Sequence, residues 1–242
     1  MPLISISDAQ RAPLPHANFV ATIHHGIPQN LHEASYRPKG GYLAFMGRIS
    51  PEKGPVDAIR IAQSLGIPLK IAAKVDKVDE PYFREVLHPM LSTEGVEFIG
   101  EINEKDKGPF LRDAIALLFP ICWPEPFGLV TIEAMACGTP VLAYRAGAVP
   151  EVIDEGVTGM IVDNIDQACI ASVQVAALDR HKVRRRFEER FTARRMANDY
   201  VRVYRSLVRH AAQRGRDIKY QVNGGARISG DELVSDVDKH AD

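Results

Sequence analysis

From residue 41 to residue 162, short runs of hydrophobic residues alternate with stretches in which hydrophobic and polar positions repeat at helical spacing. Short apolar runs predict β-strands, and stretches with apolar residues three and four apart predict helices. The predicted strands are residues 41–46, 69–73, 96–99, 115–121, 141–144 and 160–162. The predicted helices are residues 55–65, 81–91, 107–113 and 131–136. Strands that alternate with helices indicate an α/β fold, a doubly wound parallel sheet with helices on both faces.

The segment before this pattern has a different character. Residues 5–10 predict a short helix or turn, and residues 19–23 predict a buried strand. Residues 24–28 then turn into a polar stretch, residues 29–40. A strand without an earlier partner suggests the end of another domain followed by a linker. An edge strand of the same sheet is the alternative.

Composition and charge narrow the class of protein. With 45% hydrophobic residues, 25% charged residues and a formal net charge of −1, the chain lacks the global basic field of a nucleic-acid-binding protein. Its three cysteines form no C-x-x-C pair, which favours a reducing compartment over a disulfide framework or a zinc site. No apolar run approaches the ~20 residues of a membrane helix, and the start lacks a signal-peptide pattern. We therefore expect a cytoplasmic protein.

The loop at residues 47–54 directly follows the first strand of the pattern and holds two cations between two glycines. Arg48 offers a planar fork for phosphate oxygens, and Lys53 a mobile point charge. Neither a Walker loop nor a dinucleotide fingerprint is present there. A solvated charged turn is the alternative. An anion site is favoured because ligands of parallel sheets bind beyond the carboxyl ends of the strands.

A second loop lies in residues 120–138, PICWPEPFGLVTIEAMACG. Two prolines break the regular structure around Glu125, and a short helix then follows Gly128. Glycine lets a ligand approach the backbone, and a helix start offers free N–H groups to an anion. The helix carries a second carboxylate, Glu133.

Together the two loops resemble a known family. The patterns G-R-x-x-x-x-K-G and E-P-F-G-L-x-x-x-E-A-M-A-x-G-x-P-V are similar to those of retaining glycosyltransferases with the two-domain GT-B architecture, most of all their fourth family, the group 1 glycosyl transferases. Residues 147–163 and 191–204 also resemble segments of that family. The resemblance covers roughly residues 4–207 and implies a Rossmann-like domain that binds a nucleotide-diphosphate sugar.

The resemblance also implies roles for single residues. Arg48 and Lys53 would hold the diphosphate and stabilise the charge of the departing nucleotide. Glu125 would contact the sugar, and Glu133 would hold the ribose hydroxyls. The other implied donor contacts are Gly47, the backbone of Phe98 and Ile99 at the base, and Phe127, Gly128, Leu129 and Val130 at the helix start. The donor is expected to be a UDP-sugar rather than a GDP- or ADP-sugar, without a cofactor or metal.

With this resemblance, four segments are expected. Residues 1–38 would be the remnant of an N-terminal domain with a linker, and residues 39–190 the nucleotide-sugar-binding domain. Residues 191–214 would form an amphipathic helix and residues 215–242 a flexible tail. Proteins of the family carry acceptor-binding residues in an N-terminal domain. The isolated chain is therefore expected to be poorly active, with an unknown acceptor and a missing domain or separate chain as partner.

Several alternatives remain beside this interpretation. The two carboxylates also occur in glycoside hydrolases, but here one lies in a proline-rich loop and the other beside a predicted phosphate site. An Asp-x-Asp spacing occurs only at residues 236–238, in the polar tail, and no histidine spacing suits a metal. The basic helix at residues 192–214 is either a packed helix or a membrane- or nucleic-acid-binding one. We expect no nucleic acid and at most peripheral membrane contact. A non-catalytic nucleotide-sugar-binding module is the alternative to a transferase.

Overall fold

The computed structural model describes the backbone of residues 1–222 and the side chains of residues 1–213. The strands are β1 Leu3–Ser5, β2 Phe19–Thr22, β3 Leu43–Arg48, β4 Leu69–Lys74, β5 Val96–Gly100, β6 Ala116–Phe119, β7 Val141–Tyr144 and β8 Gly159–Val162. The α-helices are α1 Pro55–Leu65, α2 Glu80–Tyr82, α3 Glu104–Arg112, α4 Leu129–Ala136, α5 Val149–Val152, α6 Ile165–Ala176, α7 Arg180–Arg190 and α8 Ala193–Val222. Short 3-10 helices are Ala9–Arg11, Pro51–Lys53 and His88–Ser92, and Phe83–Leu87 is a π-helical turn.

Six strands form one parallel sheet in the order β5-β4-β3-β6-β7-β8. β3 is central, because Leu43 pairs with Leu69 of β4 on one side and with Ala116 of β6 on the other. The chain runs outward from β3 to β5, returns to β6 beside β3, and then runs outward to β8. The predicted α/β fold with a doubly wound parallel sheet is therefore confirmed. Its strand order reverses between β3 and β6.

Alternating strand residues supply two hydrophobic layers, one on each face of this sheet. Leu43 and Phe45 are buried in the same layer as Ile59 of α1. Ala44 belongs to the opposite layer, with Ile132 of α4. Successive side chains of a strand point to opposite faces, so β3 serves both layers. Helices cover both faces, as a parallel sheet requires.

The start of the chain does not contain the lone buried strand that was predicted. β1 pairs with β2 in parallel, so the strand over residues 19–23 does have an earlier partner. The two strands form a sheet of their own, so the edge-strand alternative is wrong. The interpretation of residues 1–38 as the end of another domain stays a prediction. In the segment that connects the two strands, the backbone N–H groups of Asp8 (2.7 Å) and Ala9 (2.8 Å) donate hydrogen bonds to the carboxylate of Glu151 in α5. These contacts join the start of the chain to the larger sheet's helical layer.

The predicted helix over residues 81–91 is interrupted. α2, the π-helical turn and a 3-10 helix follow one another there. Pro89 has no N–H group and its ring opposes a continuous α-helix. α3 begins before residue 107, because the side chain of Asn103 caps the N–H groups of Lys105 and Asp106. The helices α5, α6 and α7 were not predicted.

Arginines of α7 fix the basic stretch to the fold. Arg186 and Arg190 pair with Asp154 at 2.6 and 2.5 Å. The buried Arg180 donates to the carbonyls of Ser35 (2.7 Å), Arg112 (2.7 Å) and Ala114 (2.9 Å), and to Thr139 Oγ1 (2.6 Å). These contacts pack α7 against the rest of the fold, whereas both interpretations of the helix at residues 192–214 stay predictions.

α8 continues to Val222, past the predicted helix end at residue 214. The remainder of the predicted flexible tail, residues 223–242, lies outside the described residues. Residues 1–200 form one compact unit, and the described residues from Val201 onward belong to a second. None of the described helices combines the length and apolar character needed to cross a membrane.

Candidate functional site

The carboxyl ends of β3 and β6 lie side by side at the point where the strand order reverses. Ligands of doubly wound sheets bind in the crevice at this topological switch point. Arg48 is the last residue of β3, Lys53 lies in the loop that follows it, and the loop after β6 carries Glu125. The fold therefore brings the two predicted loops together. A backbone hydrogen bond from Cys122 to the carbonyl of Glu52 (3.0 Å) joins them directly.

Arg48 ends β3 between two carboxylates. Its guanidinium lies 2.5 Å from Glu52 and 3.4 Å from Asp79. The hydrogen bond with Glu52 raises the pKa of Arg48 above its ordinary value. A Cβ added at the neighbouring Gly47 would meet no atom within 4 Å, so open space adjoins this backbone. Arg48 is a permanently charged group that is held at the rim of the sheet and is still 40% exposed.

Lys53 and Glu125 form an ion pair across the two loops, although 72 positions separate them in the sequence. Lys53 Nζ lies 2.5 Å from Glu125 Oε2. The indole N–H of Trp123 donates to the same oxygen at 2.9 Å, and its ring lies 5.5 Å from the ammonium. Only 24% of the lysine side chain and 14% of the glutamate side chain are exposed. The predicted cation and the predicted sugar-binding carboxylate thus form a single unit with Trp123.

Two glycines allow the loops to approach this closely. Gly54 has φ 72°, and a Cβ there would clash with the carbonyl oxygen of Pro120. Gly147 has φ 51°, and a Cβ there would clash with the backbone of Glu125. The loop after β7 also donates a hydrogen bond from the N–H of Ala148 to the carbonyl of Glu125 (2.9 Å). The backbone that carries Glu125 is therefore held from both sides.

The N-terminus of α4 lies in the same loop. Gly128 precedes the helix with φ 82°, and Leu129 and Val130 form its first turn. N–H groups in a first turn have no intrahelical acceptor and carry the positive end of the helix dipole. The ring of Phe127 is buried against His25 (5.0 Å between centroids) and Phe191 (6.1 Å), so a ligand can contact Phe127 only through its backbone.

Glu133 lies on α4 in a separate cluster of charged groups. Lys107 of α3 donates to its Oε1 at 3.3 Å and lies 3.0 Å from Glu104. The buried Nε2 of His32 lies 3.7 Å from Glu104 and has no hydrogen-bond partner. Burial lowers the pKa of His32 below its ordinary value. Ligand atoms of His32, Glu104 and Glu133 lie within 4.8 Å of one another and could hold a metal ion, but the Lys107 ammonium already lies against both carboxylates.

Phe98 and Ile99 lie on β5, the edge strand, two strands away from β3. The ring of Phe98 packs 5.4 Å from that of Phe83. Ile99 falls at an irregularity in the pairing with β4, where Ile71 pairs with Phe98 and Ala72 with Gly100. Bulges of this kind leave a residue unpaired and are common near active sites. No described contact joins these two residues to Arg48, Lys53 or Glu125.

Six residues described above were not predicted as site residues: Glu52, Asp79, Trp123, Lys107, Glu104 and His32. Glu52 and Trp123 lie inside the predicted loops. Their charged partners are close in sequence, since Arg48 stands four residues before Glu52 and Glu125 two residues after Trp123, and this spacing could have indicated both contacts. Asp79 and Lys107 approach their partners only through the fold. The roles assigned to single residues by the family resemblance stay predictions.

A family model described as glycosyl transferases group 1 matches residues 29–194. A D-inositol 3-phosphate glycosyltransferase of Saccharomonospora viridis is 30% identical over 199 residues, which is 74% of this chain and 46% of the relative. An uncharacterized 41.2 kDa protein in the cps region of Klebsiella pneumoniae is 29% identical over 177 residues, covering 68% of this chain and 46% of the relative. The chain thus spans about half the length of these curated relatives.

Solved structures share the fold. AviGT4, a glycosyltransferase involved in avilamycin A biosynthesis, superposes with a TM-score of 0.73 at 28% identity, over 84% of this chain and 63% of that one. Anabaena HepE, solved in complex with UDP and glucose, superposes with the same TM-score of 0.73 at 20% identity, over 84% of this chain and 62% of that one.

Proposed function

Because this chain belongs to the group 1 glycosyl transferases, we propose that it binds the nucleotide-diphosphate-sugar donor of a retaining hexosyltransferase. The observation that carries the proposal is the meeting of Arg48, Lys53 and Glu125 at the topological switch point. Two cations, one carboxylate and the N-terminus of α4 suit a ligand with a diphosphate and a hydroxyl-rich sugar.

In the proposed reaction, the bond between the anomeric carbon and the diphosphate oxygen breaks. Negative charge then grows on the departing nucleoside diphosphate. Arg48 and Lys53 stabilise that charge, which preorganised cations do well at a partly dry site. We assign this work to the two cations rather than to a metal ion. Added chelator is accordingly expected to leave donor binding unchanged.

Both cations are already paired, and this shapes the binding step. Arg48 lies against Glu52 and Asp79, and Lys53 lies against Glu125. A diphosphate that binds here exchanges these carboxylates for phosphate oxygens. Glu125, once released, is free to accept hydrogen bonds from the sugar hydroxyls. Carboxylate exchange would thus couple diphosphate binding to sugar recognition.

We propose UDP as the nucleotide in preference to GDP or ADP. HepE, which has the same fold, was solved with UDP. The backbone at the Phe98–Ile99 irregularity would meet the base edge, and Glu133 the ribose. Transfer would also require residues that bind the acceptor.

Thermal unfolding with UDP, GDP, ADP and their sugars tests the proposal. A ligand at 100 times its Kd stabilises the folded state by about 2.7 kcal/mol. Arg48→Gln and Lys53→Gln should each weaken the preferred nucleotide about tenfold or more, because a charge-assisted hydrogen bond is worth about 1.5–3 kcal/mol. Arg60→Gln is the matched control, since Arg60 is exposed on α1. Equal shifts for the wild type and both site variants would reject this assignment.

A further inference from the structure

The cluster around Glu133 joins three separate parts of the chain. Glu133 belongs to α4, Glu104 and Lys107 belong to α3, and His32 belongs to the polar segment before β3. The Lys107 ammonium lies between the two carboxylates, 3.0 Å from Glu104 Oε2 and 3.3 Å from Glu133 Oε1. Lys107 therefore contacts the carboxylate that is proposed to hold the ribose.

Burial makes this contact stronger than a surface ion pair. Glu133 is 13% exposed and Lys107 27% exposed, whereas exposed pairs are worth little. Burial alone would lower the pKa of Lys107, but its hydrogen bonds to Glu104 and Glu133 outweigh this effect and raise it above the ordinary value. His32 is not a substitute cation, since burial lowers its pKa. Lys107 therefore supplies the positive charge that two neighbouring carboxylates need.

The contact also orients Glu133. Among the described residues, only its Oε1 has a hydrogen-bond partner, the ammonium of Lys107. A carboxylate fixed through one oxygen offers the other in a defined direction. Two vicinal hydroxyls of a ribose need an acceptor fixed in this way, because a freely rotating carboxylate loses side-chain entropy when it binds.

We propose that Lys107 is a positioning residue that holds Glu133 in the orientation that recognises the ribose of the donor. The inference rests on the proposed function and adds a determinant of nucleotide recognition to it. Lys107 itself touches neither the diphosphate nor the sugar. Its removal should therefore affect only ligands that carry ribose hydroxyls.

Calorimetry with UDP and 2′,3′-dideoxy-UDP tests this inference. Lys107→Met keeps the apolar stem and removes the charge; it should weaken UDP about five- to tenfold and leave the dideoxy nucleotide unchanged. Lys107→Arg should restore most of the preference for UDP. Lys105→Met is the matched control, because Lys105 is exposed on the same helix. In a Glu133→Gln background, Lys107→Met should cause no further loss of UDP affinity.

The outcomes separate this inference from the proposed function. Equal weakening of both nucleotides by Lys107→Met, or no weakening of UDP, would overturn the positioning role alone. A folded wild type that binds none of UDP, GDP and ADP would overturn the proposed function and the inference with it. If Lys107→Met fails to fold, Lys107→Gln removes the same charge with a polar side chain, and the same comparison applies.

Discussion

Replacing Glu125 by glutamine should make the chain bind free UDP more tightly. Glu125 holds the Lys53 ammonium at 2.5 Å, so a diphosphate must first displace it. Glutamine has nearly the same shape and can still accept the hydrogen bond from Trp123, but it carries no charge. The variant therefore frees Lys53 for the phosphate oxygens and removes a carboxylate that repels them.

The size of the effect follows from the exposure of the pair. A hydrogen bond between buried charged groups contributes about 1.5–3 kcal/mol. A fully exposed ion pair contributes roughly 0–1 kcal/mol. With 24% and 14% of the two side chains exposed, the free energy that this pair contributes lies between these limits. In the wild type, the new contact between Lys53 and phosphate recovers part of that free energy when the pair breaks. We expect a net gain of about 1 kcal/mol, which is roughly fivefold in Kd.

Titration calorimetry with UDP and with a UDP-sugar measures this gain. The UDP-sugar should gain less than UDP, because the same substitution removes the charged acceptor for the sugar hydroxyls. Rising salt should reduce the gain, since electrostatic attraction is screened. Glu80→Gln, which removes an exposed pair with Arg84, provides the control. Unchanged or weaker binding of UDP by Glu125→Gln would refute the exchange of carboxylate for phosphate.

Three further predictions concern the scaffold. Arg180→Met should lower the free energy of unfolding, measured with urea, by about 4 kcal/mol, because four hydrogen bonds of about 1 kcal/mol each are lost; full stability would contradict this. Gly147→Ala should lower Tm more than Gly156→Ala, because both have positive φ but only the first would clash, with the backbone of Glu125; equal losses would argue against the close loop packing. Burial lowers the pKa of His32 in the folded chain. As the pH drops below about 6.5, the unfolded chain therefore binds a proton more readily than the folded chain does, and the free energy of unfolding should fall. His32→Gln should lose less Tm between pH 7 and pH 5 than the wild type, and an identical loss would exclude His32 as a cause.

Local signals in the sequence predict much of the sheet and its first helix. α1 agrees with its predicted bounds because Pro55 can begin a helix and Gly66, with φ 63°, ends it in the left-handed region. The proximity of the two site loops also follows from a general rule, because the carboxyl ends of parallel strands lie at the same edge of a sheet. These features depend on residues close together in sequence or on topology alone.

The features that were missed depend on tertiary contacts. Lys107 stands in the charged run EKDK, which has the pattern of a solvated helix face until α4 brings Glu133 against it. His32 lies in a polar stretch but is only 4% exposed, because Arg184 of α7 holds the chain around it through the carbonyls of Gln29 and His32. No periodicity in the sequence encodes such long-range contacts. The pairing of β1 with β2 was missed for the same reason.

The central place of β3 has a consequence for how the protein folds and unfolds. The two halves of the Lys53–Glu125 pair meet only after the chain has run out to β5 and back, and closing so long a loop costs entropy before any contact repays it. The junction of β3 and β6 is therefore expected to form late, after the local strand–helix units. A ligand bound across a late junction is absent from the folding transition state, so a nucleotide should slow unfolding while leaving the refolding rate almost unchanged. The lifetime of the folded state, and with it the resistance to proteolysis, would then rise with donor concentration.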